Sequence, residues 1–184
     1  MFVNKIIIMK KILLSIAFLC VTATVANAQA LRIGVKGGLN YSTLEGKTEI
    51  NYKEKTSFHG GLVAQINLLK PLYIQPEVYY SSQGAKVKGV GDFNFEYVNV
   101  PVLAKLYIIK DIITIEAGPQ FSFNVGDKKD NTKDYDFGIA AGLGAQITDK
   151  FFIQGRYVSG LIKVEETTKA TNTMFQLSLG YFLN

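Results

Sequence analysis

The sequence predicts an all-β protein, an eight-stranded antiparallel up-and-down transmembrane β-barrel. Three observations predict it. After the first thirty or so residues, apolar and polar residues alternate eight times over about ten positions each, the period of a strand with two unlike faces. The charges that fall in mid-strand, Lys36, Glu77, Lys105, Glu116 and Arg156, all lie on the polar face. The connections alternate between short and long, behind an N-terminal segment built like a secretion signal.

That N-terminal segment is expected to be residues 1–28. Lys10 and Lys11 form a positive start, Ile12 to Val25 an apolar run, and Ala26-Asn27-Ala28 an A-x-A site, with cleavage between Ala28 and Gln29. The apolar run falls short of the roughly 20 residues a membrane-spanning helix needs. Met9 serves as a start as well as Met1, because the basic residues follow it directly. Cys20 follows Leu19 rather than a small residue, which argues against lipid attachment. Removing the segment leaves residues 29–184 as one barrel domain and takes Lys5, Lys10 and Lys11, so the formal charge drops from +5 to +2. The lone cysteine goes too, which excludes disulfides and cysteine metal sites from the remainder. No later stretch is apolar and long enough for a transmembrane helix, so any membrane crossing must use strands.

The strands are expected at 31–42, 56–68, 72–82, 95–108, 112–125, 135–147, 151–161 and 173–183. In the first, Ile33, Val35, Leu39 and Tyr41 share a face; in the second, Phe58, Leu62, Ala64, Ile66 and Leu68. Leu72, Ile74, Val78 and Tyr80 mark the third, and Val98, Val100, Val102, Ala104, Leu106 and Ile108 the fourth. The fifth carries Ile113, Ile115, Ala117, Phe121 and Phe123, the sixth Tyr135, Phe137, Ile139, Ala141, Leu143, Ala145 and Ile147. Phe151, Ile153 and Tyr157 follow in the seventh, then Phe175, Leu177, Leu179, Tyr181 and Leu183 in the last. Leu69-Lys70-Pro71, Lys110-Asp111 and Thr148-Asp149-Lys150 read as tight turns, while 43–55, 83–94, 126–134 and 162–172 read as long polar loops. Short periplasmic turns and longer outside loops are the pattern of outer-membrane barrels.

The aromatics give the barrel a direction. Tyr41, Phe58, Tyr80, Phe121, Phe123, Tyr135, Phe137, Tyr157 and Phe175 all sit on the apolar face near the loop ends, where an interfacial aromatic girdle is expected. Phe151 and Tyr181 suit the opposite rim. On a lipid-facing surface a mid-depth Lys or Arg costs roughly 2–4 kcal/mol. Five misplaced charges would consume a typical domain's stability, so Lys36, Glu77, Lys105, Glu116 and Arg156 are expected inside as a polar network. Eight strands leave an interior that side chains fill. A two-residue turn at Lys110-Asp111 sets Lys105 opposite Glu116, and a three-residue turn at Thr148 to Lys150 sets Arg156 opposite Gly142.

Chemical motifs are sparse. Gly142-Leu143-Gly144 and Gly37-Gly38 complete neither a dinucleotide fingerprint nor a P-loop. His59 is the only histidine, so a serine relay, with Ser57 or Ser81 nearby, would have to use it as base. Asp130, Thr132, Asp134 and Asp136 alternate like weak calcium ligands but lack the glycine and closing glutamate of an EF-hand loop, and Lys128, Lys129 and Lys133 interleave them. Basic residues are scattered among acids, which gives nucleic acid no footprint. No catalytic residue, metal or cofactor is expected.

A set of longer motifs carries a family likeness. Gly34-Val35-Lys36-Gly37-Gly38-Leu39-Asn40, Phe58-His59-Gly60-Gly61-Leu62 and Ile74-Gln75-Pro76-Glu77-Val78-Tyr79-Tyr80-Ser81-Ser82-Gln83-Gly84 open it. Tyr97-Val98-Asn99-Val100-Pro101-Val102-Leu103-Ala104-Lys105, Glu116-Ala117-Gly118-Pro119-Gln120 and Asp136-Phe137-Gly138-Ile139-Ala140-Ala141-Gly142-Leu143-Gly144 continue it. Together they resemble the PorT-like outer-membrane β-barrel proteins of Bacteroidota. The resemblance implies an eight-stranded outer-membrane barrel, a founding type associated with protein secretion to the cell surface, and no catalytic residues. One departure is the end, Tyr181-Phe182-Leu183-Asn184, where such barrels often finish on an aromatic.

The functional expectation is therefore a small, non-enzymatic outer-membrane barrel with a filled interior. Its partners are outer-membrane lipid and, through loops or rims, envelope or secretion-machinery proteins; the sequence leaves the oligomeric state open. Three alternatives stand beside it: a surface binding or adhesion protein using the long loops, a membrane-embedded lipid enzyme using His59, and a soluble lipocalin-like carrier with its apolar face turned inward.

Overall fold

The computed structural model describes residues 31–45, 52–53, 55–87, 91–126, 135–161 and 171–184. Among these residues are eight long strands: β1 Leu31–Glu45, β2 Lys55–Leu69, β3 Leu72–Val87, β4 Gly91–Ile109, β5 Ile113–Asn124, β6 Tyr135–Gln146, β7 Phe151–Gly160 and β8 Thr171–Phe182. They pair antiparallel in the order β3-β2-β1-β8-β7-β6-β5-β4, and β4 returns to β3. The sheet thus closes into a barrel and leaves no edge, which removes the row of unpaired backbone groups an open sheet would present.

The short turns lie at one end and β1 starts there too; this turn end faces a loop end. Around Thr148 to Lys150, Ile147 N donates to Phe151 O, and the resulting register places Gly142 opposite Arg156. At Lys110-Asp111 the turn is distorted. Ile109 pairs with Ile113 across a bulge, yet Lys105 still pairs with Glu116 as the two-residue turn requires. The bulge is absorbed at the rim, where Asp111 takes a left-handed φ of 56°.

Several expected strand ends move into stretches read as loop: β1 runs to Glu45 and β8 starts at Thr171. Most of 83–94, read as loop, is strand: Gln83 pairs with Phe95 and the ladder runs on to Val87 opposite Gly91. Phe93, Phe95, Ala85 and Val87 keep an apolar period of two there, hidden by the polar residues between them. A two-residue piece, Tyr52–Lys53, pairs with Val87 and Lys86. The described ladder of β3 and β4 thus continues to Val87 and Gly91 at the loop end.

Side-chain alternation sorts the two faces. Outward positions are apolar and bare, including Phe58 at 60 %, Leu143 at 60 % and Leu177 at 52 % exposure. So large an apolar surface marks a face meant for something other than water. Along β7 it spans Phe151 to Leu161; ten steps of about 3.3 Å, tilted about 40°, give roughly 25 Å, the height of a barrel's lipid band. The soluble-carrier alternative needs the reverse arrangement, with charges outside, and the structure overturns it: Lys36, Glu77, Lys105, Glu116 and Arg156 are all buried inside.

The ladders are uneven around the barrel. β5–β6, β6–β7, β7–β8 and β8–β1 pair residue by residue without a gap. β2–β3 skips Ala64–Gln65 against Gln75–Pro76, β3–β4 skips Glu77–Val78 against Val100–Pro101, and β4–β5 skips Val102–Leu103 against Gly118–Pro119.

Candidate functional site

Alternation drives the polar side chains of all eight strands into one narrow interior, and the charged ones meet near mid-height. Arg156 on β7 is the hub. Its Nη1 and Nη2 donate to the two oxygens of Glu77 on β3 at 2.9 and 2.7 Å, a bidentate fork. Its Nε and Nη2 also donate to Glu116 Oε1 on β5 at 3.1 and 3.0 Å. Lys36 Nζ on β1 lies 2.7 Å from Glu77 Oε2 and donates to Gln154 Oε1. Gln154 Nε2 in turn donates to the second Glu116 oxygen at 2.6 Å.

Lys105 and Glu116 are register partners and both face inward, but the Glu116 carboxylate is taken up by Arg156 and Gln154. Lys105 Nζ donates instead to Gln75 Oε1 at 3.0 Å and lies 5.3 Å from the centre of the Phe152 ring. Gln75 hands the interaction on, its amide donating to Glu77 Oε1 at 2.7 Å. The reason for the change of partner is geometric. A planar guanidinium can satisfy two carboxylates at once, whereas an ammonium acts as a point charge. Gly142, opposite Arg156, leaves the room: a Cβ there would come 3.3 Å from Arg156 Cβ and 2.5 Å from the Gly155 carbonyl.

The Arg156–Glu77, Arg156–Glu116 and Lys36–Glu77 pairs are fully sealed, with no side-chain exposure on either partner. Desolvating each ion costs several kcal/mol, which only close pairing offsets. Among the described interior residues three cations meet two carboxylates, so the cluster carries one net positive charge.

A second network lies toward the loop end. Asn40 Nδ2 donates to Ser81 Oγ at 3.0 Å, so its Oδ1 is the acceptor for Gln176 Nε2 and for His59 Nδ1 at 2.7 Å. His59 therefore holds its proton on Nδ1, and its Nε2 accepts from Ser178 Oγ at 2.8 Å. Ser178–His59–Asn40 has the bonding order of a nucleophile relay. Yet all three side chains are buried and none lines the small recess nearer the loop end, which is walled by Gln120, Ser122, Asp136 and Met174. Of the serines weighed from sequence, Ser81 joins Asn40, while Ser57 Oγ donates to the Ser82 carbonyl.

The interior also holds apolar layers. Leu103, Ala140, Val158 and Met174, from β4, β6, β7 and β8, form one cluster. At the turn end Phe152, Phe182 and Val63 pack together, with the two rings 4.9 Å apart and the Arg32 guanidinium 3.9 Å from the Phe182 ring centre. Gly180 makes that layer possible, since a Cβ there would strike the Phe152 ring at 2.0 Å. Asn99 is fully buried with neither amide atom bonded, and Thr114 Oγ1 is likewise unpartnered.

Of the aromatics expected as a girdle, Tyr41, Phe58, Phe121, Tyr135, Tyr157 and Phe175 are exposed on the outer face, and Tyr80, Phe123 and Phe137 are half-buried. Register joins Tyr41, Phe175 and Tyr157 in one row and Phe121 with Phe137 in another, the latter two rings 5.0 Å apart. Ala28 and Gln29, together with Asp130, Thr132 and Asp134, lie outside the described residues; Asp136 Oδ1 accepts the Phe137 N–H. Among the described residues no cluster has the make-up of a metal site.

Sequence reasoning missed Asn40, Gln75, Gln154, Gln176 and Ser178. Their signal was present: each is a polar residue of inward parity, within four positions of a charge or of a register partner of one.

Residues 27–166 match the family described as outer membrane protein beta-barrel domain. No curated protein matches the chain. Among solved structures it is similar to Ail, the attachment invasion locus protein of Yersinia pestis, in complex with the heparin analogue sucrose octasulfate: TM-score 0.55, 15 % identity, 84 % of this chain and 99 % of that one. Neisserial surface protein A gives a TM-score of 0.54 at 12 % identity, over 81 % of this chain and 96 % of its own. OprG from Pseudomonas aeruginosa gives 0.50 at 12 % identity, over 84 % and 97 %. At these identities the likeness is one of fold.

Proposed function

The chain belongs to the outer membrane protein β-barrel domain family and resides in the outer membrane, and from that premise we propose that it is a non-enzymatic, non-conducting barrel acting through its two ends. The observation that carries this reading is the interior: Arg156, Glu77, Glu116 and Lys36 bridge β1, β3, β5 and β7 across the lumen. Water and solutes are left no passage where side chains from opposite walls touch. Work is then done by loops and rims, in contact with envelope proteins, and the resemblance to PorT-like barrels favours secretion machinery as the neighbour.

The test is crosslinking in native envelopes with identification of the captured neighbours. Recovery of secretion components, together with a secretion defect on deletion of the gene, is the expected result; capture of lipid alone with normal secretion would reject the role. Purified protein in planar bilayers should show no steady conductance.

A second reading, surface binding through the loops, is favoured by the extended β3–β4 hairpin and by the fold shared with Ail, which was solved with a heparin analogue. Deleting residues 126–134 separates the two readings: lost adhesion with intact secretion selects the binder. For the absence of catalysis the support is that both His59 nitrogens are committed to internal bonds. His59→Ala should leave the membrane lipid profile unchanged.

A further inference from the structure

Each of the three ladder interruptions holds one proline: Pro76 on β3, Pro101 on β4 and Pro119 on β5. An antiparallel ladder alternates bonded and non-bonded pairs, and a non-bonded pair is flanked by two inter-strand bonds. A proline has no N–H to give. It therefore omits one inter-strand hydrogen bond, which its own bonded pair and one adjacent non-bonded pair share as a flank. That is the two-pair gap seen each time: Ala64/Pro76 with Gln65/Gln75, Glu77/Pro101 with Val78/Val100, and Val102/Pro119 with Leu103/Gly118. In an interior strand such a loss is unusual, since proline normally keeps to edges and bulges.

The three gaps fall on consecutive strand pairs and define a panel, β2 to β5. Among the described residues, the buried side-chain atoms without partners, on Asn99 and Thr114, belong to β4 and β5 of this same panel. The panel also supplies Glu77, Gln75, Lys105 and Glu116 to the interior cluster, whereas Arg156 and Lys36 stand on β7 and β1, in the unbroken part of the wall. Glu77 lies beside Pro76 in the chain and its backbone carbonyl faces Pro101; Glu116 is three residues before Pro119.

We infer that the β2–β5 panel is a hinged part of the barrel wall, clamped shut from inside by Arg156. The backbone bonds that the prolines omit are replaced by side-chain bonds that cross the lumen, from β7 to β3 and to β5. The clamp is a conformational device: moving one guanidinium loosens three adjacent ladders, while the four unbroken ladders from β5 round to β1 stay closed.

Hydrogen–deuterium exchange on the protein folded into phosphatidylcholine bilayers tests this. In the unmodified protein, amides of 64–78 and 98–118 should exchange at least about tenfold faster than those of 139–146 and 174–182. Arg156→Lys keeps the charge but cannot hold both carboxylates; it should accelerate the panel by a further tenfold or so and leave β6–β8 unchanged. Equal rates in both regions, or a uniform rise across all strands, would overturn the inference. Should Arg156→Lys fail to fold, Pro101→Ala decides. It restores a donor opposite Glu77 and should slow exchange across the β3–β4 gap; an unchanged or faster rate there refutes the clamp.

Discussion

From β5 through β6, β7 and β8 to β1 the backbone ladders run unbroken, whereas from β2 to β5 every ladder is interrupted at a proline. The first region is held by what any sheet has, main-chain hydrogen bonds between neighbours. The second borrows strength from across the lumen, through a fork on Arg156 that reaches Glu77 and Glu116. The difference teaches that a filled barrel interior is a tie between walls as well as a plug. It also explains why a buried charge cluster persists where a wholly apolar filling would cost less desolvation.

The largest test of that contrast is Arg156→Gln. It leaves two buried carboxylates sharing Lys36, and removing one partner from such a cluster costs about 3–5 kcal/mol. Urea unfolding in detergent, followed by the gel shift between unboiled and boiled samples, should show it; a loss under about 1 kcal/mol would mean the network ties nothing. Next is a proline placed in the unbroken region. Ala141→Pro removes a ladder donor with no cross-lumen bond at hand to replace it, and should cost about 1–3 kcal/mol for the carbonyl left unpaired, read as a drop in the folded, heat-modifiable band. If β6 tolerates it as β3, β4 and β5 tolerate theirs, the two regions do not differ as described.

Gly142→Ala probes the seat of the clamp. Its Cβ would press on the Gly155 carbonyl and crowd Arg156, so overpacking of about 1–3 kcal/mol is expected. Combined with Arg156→Gln it should be less than additive, since the two share one site. The smallest effect is a gain: Pro101→Ala returns one hydrogen bond to the panel, about 0.5–1.5 kcal/mol, visible as a higher urea midpoint.

Much of this molecule is legible in its sequence because lipid and water disagree so strongly about side chains. Period-two patterning separates the inward from the outward face along the strands, and turn lengths place Lys105 opposite Glu116 and Arg156 opposite Gly142. What the pattern cannot reach is contact between strands that are not neighbours. Arg156 and Glu77 are separated by 79 positions in the chain and by the width of the lumen, and no hairpin arithmetic joins β7 to β3. Nor does alternation separate a polar interior from one with apolar layers: Phe152 and Phe182 share the inward parity of Gln154 and Gly180. The prolines were visible in three motifs, yet their effect depends on which side of each strand the missing N–H would have faced. Only the assembled register says that.

The order of the chain gives the interior cluster a history. Lys36, Glu77 and Glu116 are synthesised and delivered before Arg156, which arrives on the penultimate strand. Until β7 is in place, two carboxylates have the ammoniums of Lys36 and Lys105 and the amide of Gln75 to share. Hydrocarbon tolerates such groups poorly. A half-built barrel is thus an unwelcome guest in the bilayer, and the favoured route is one in which the strands enter together, with the guanidinium aboard.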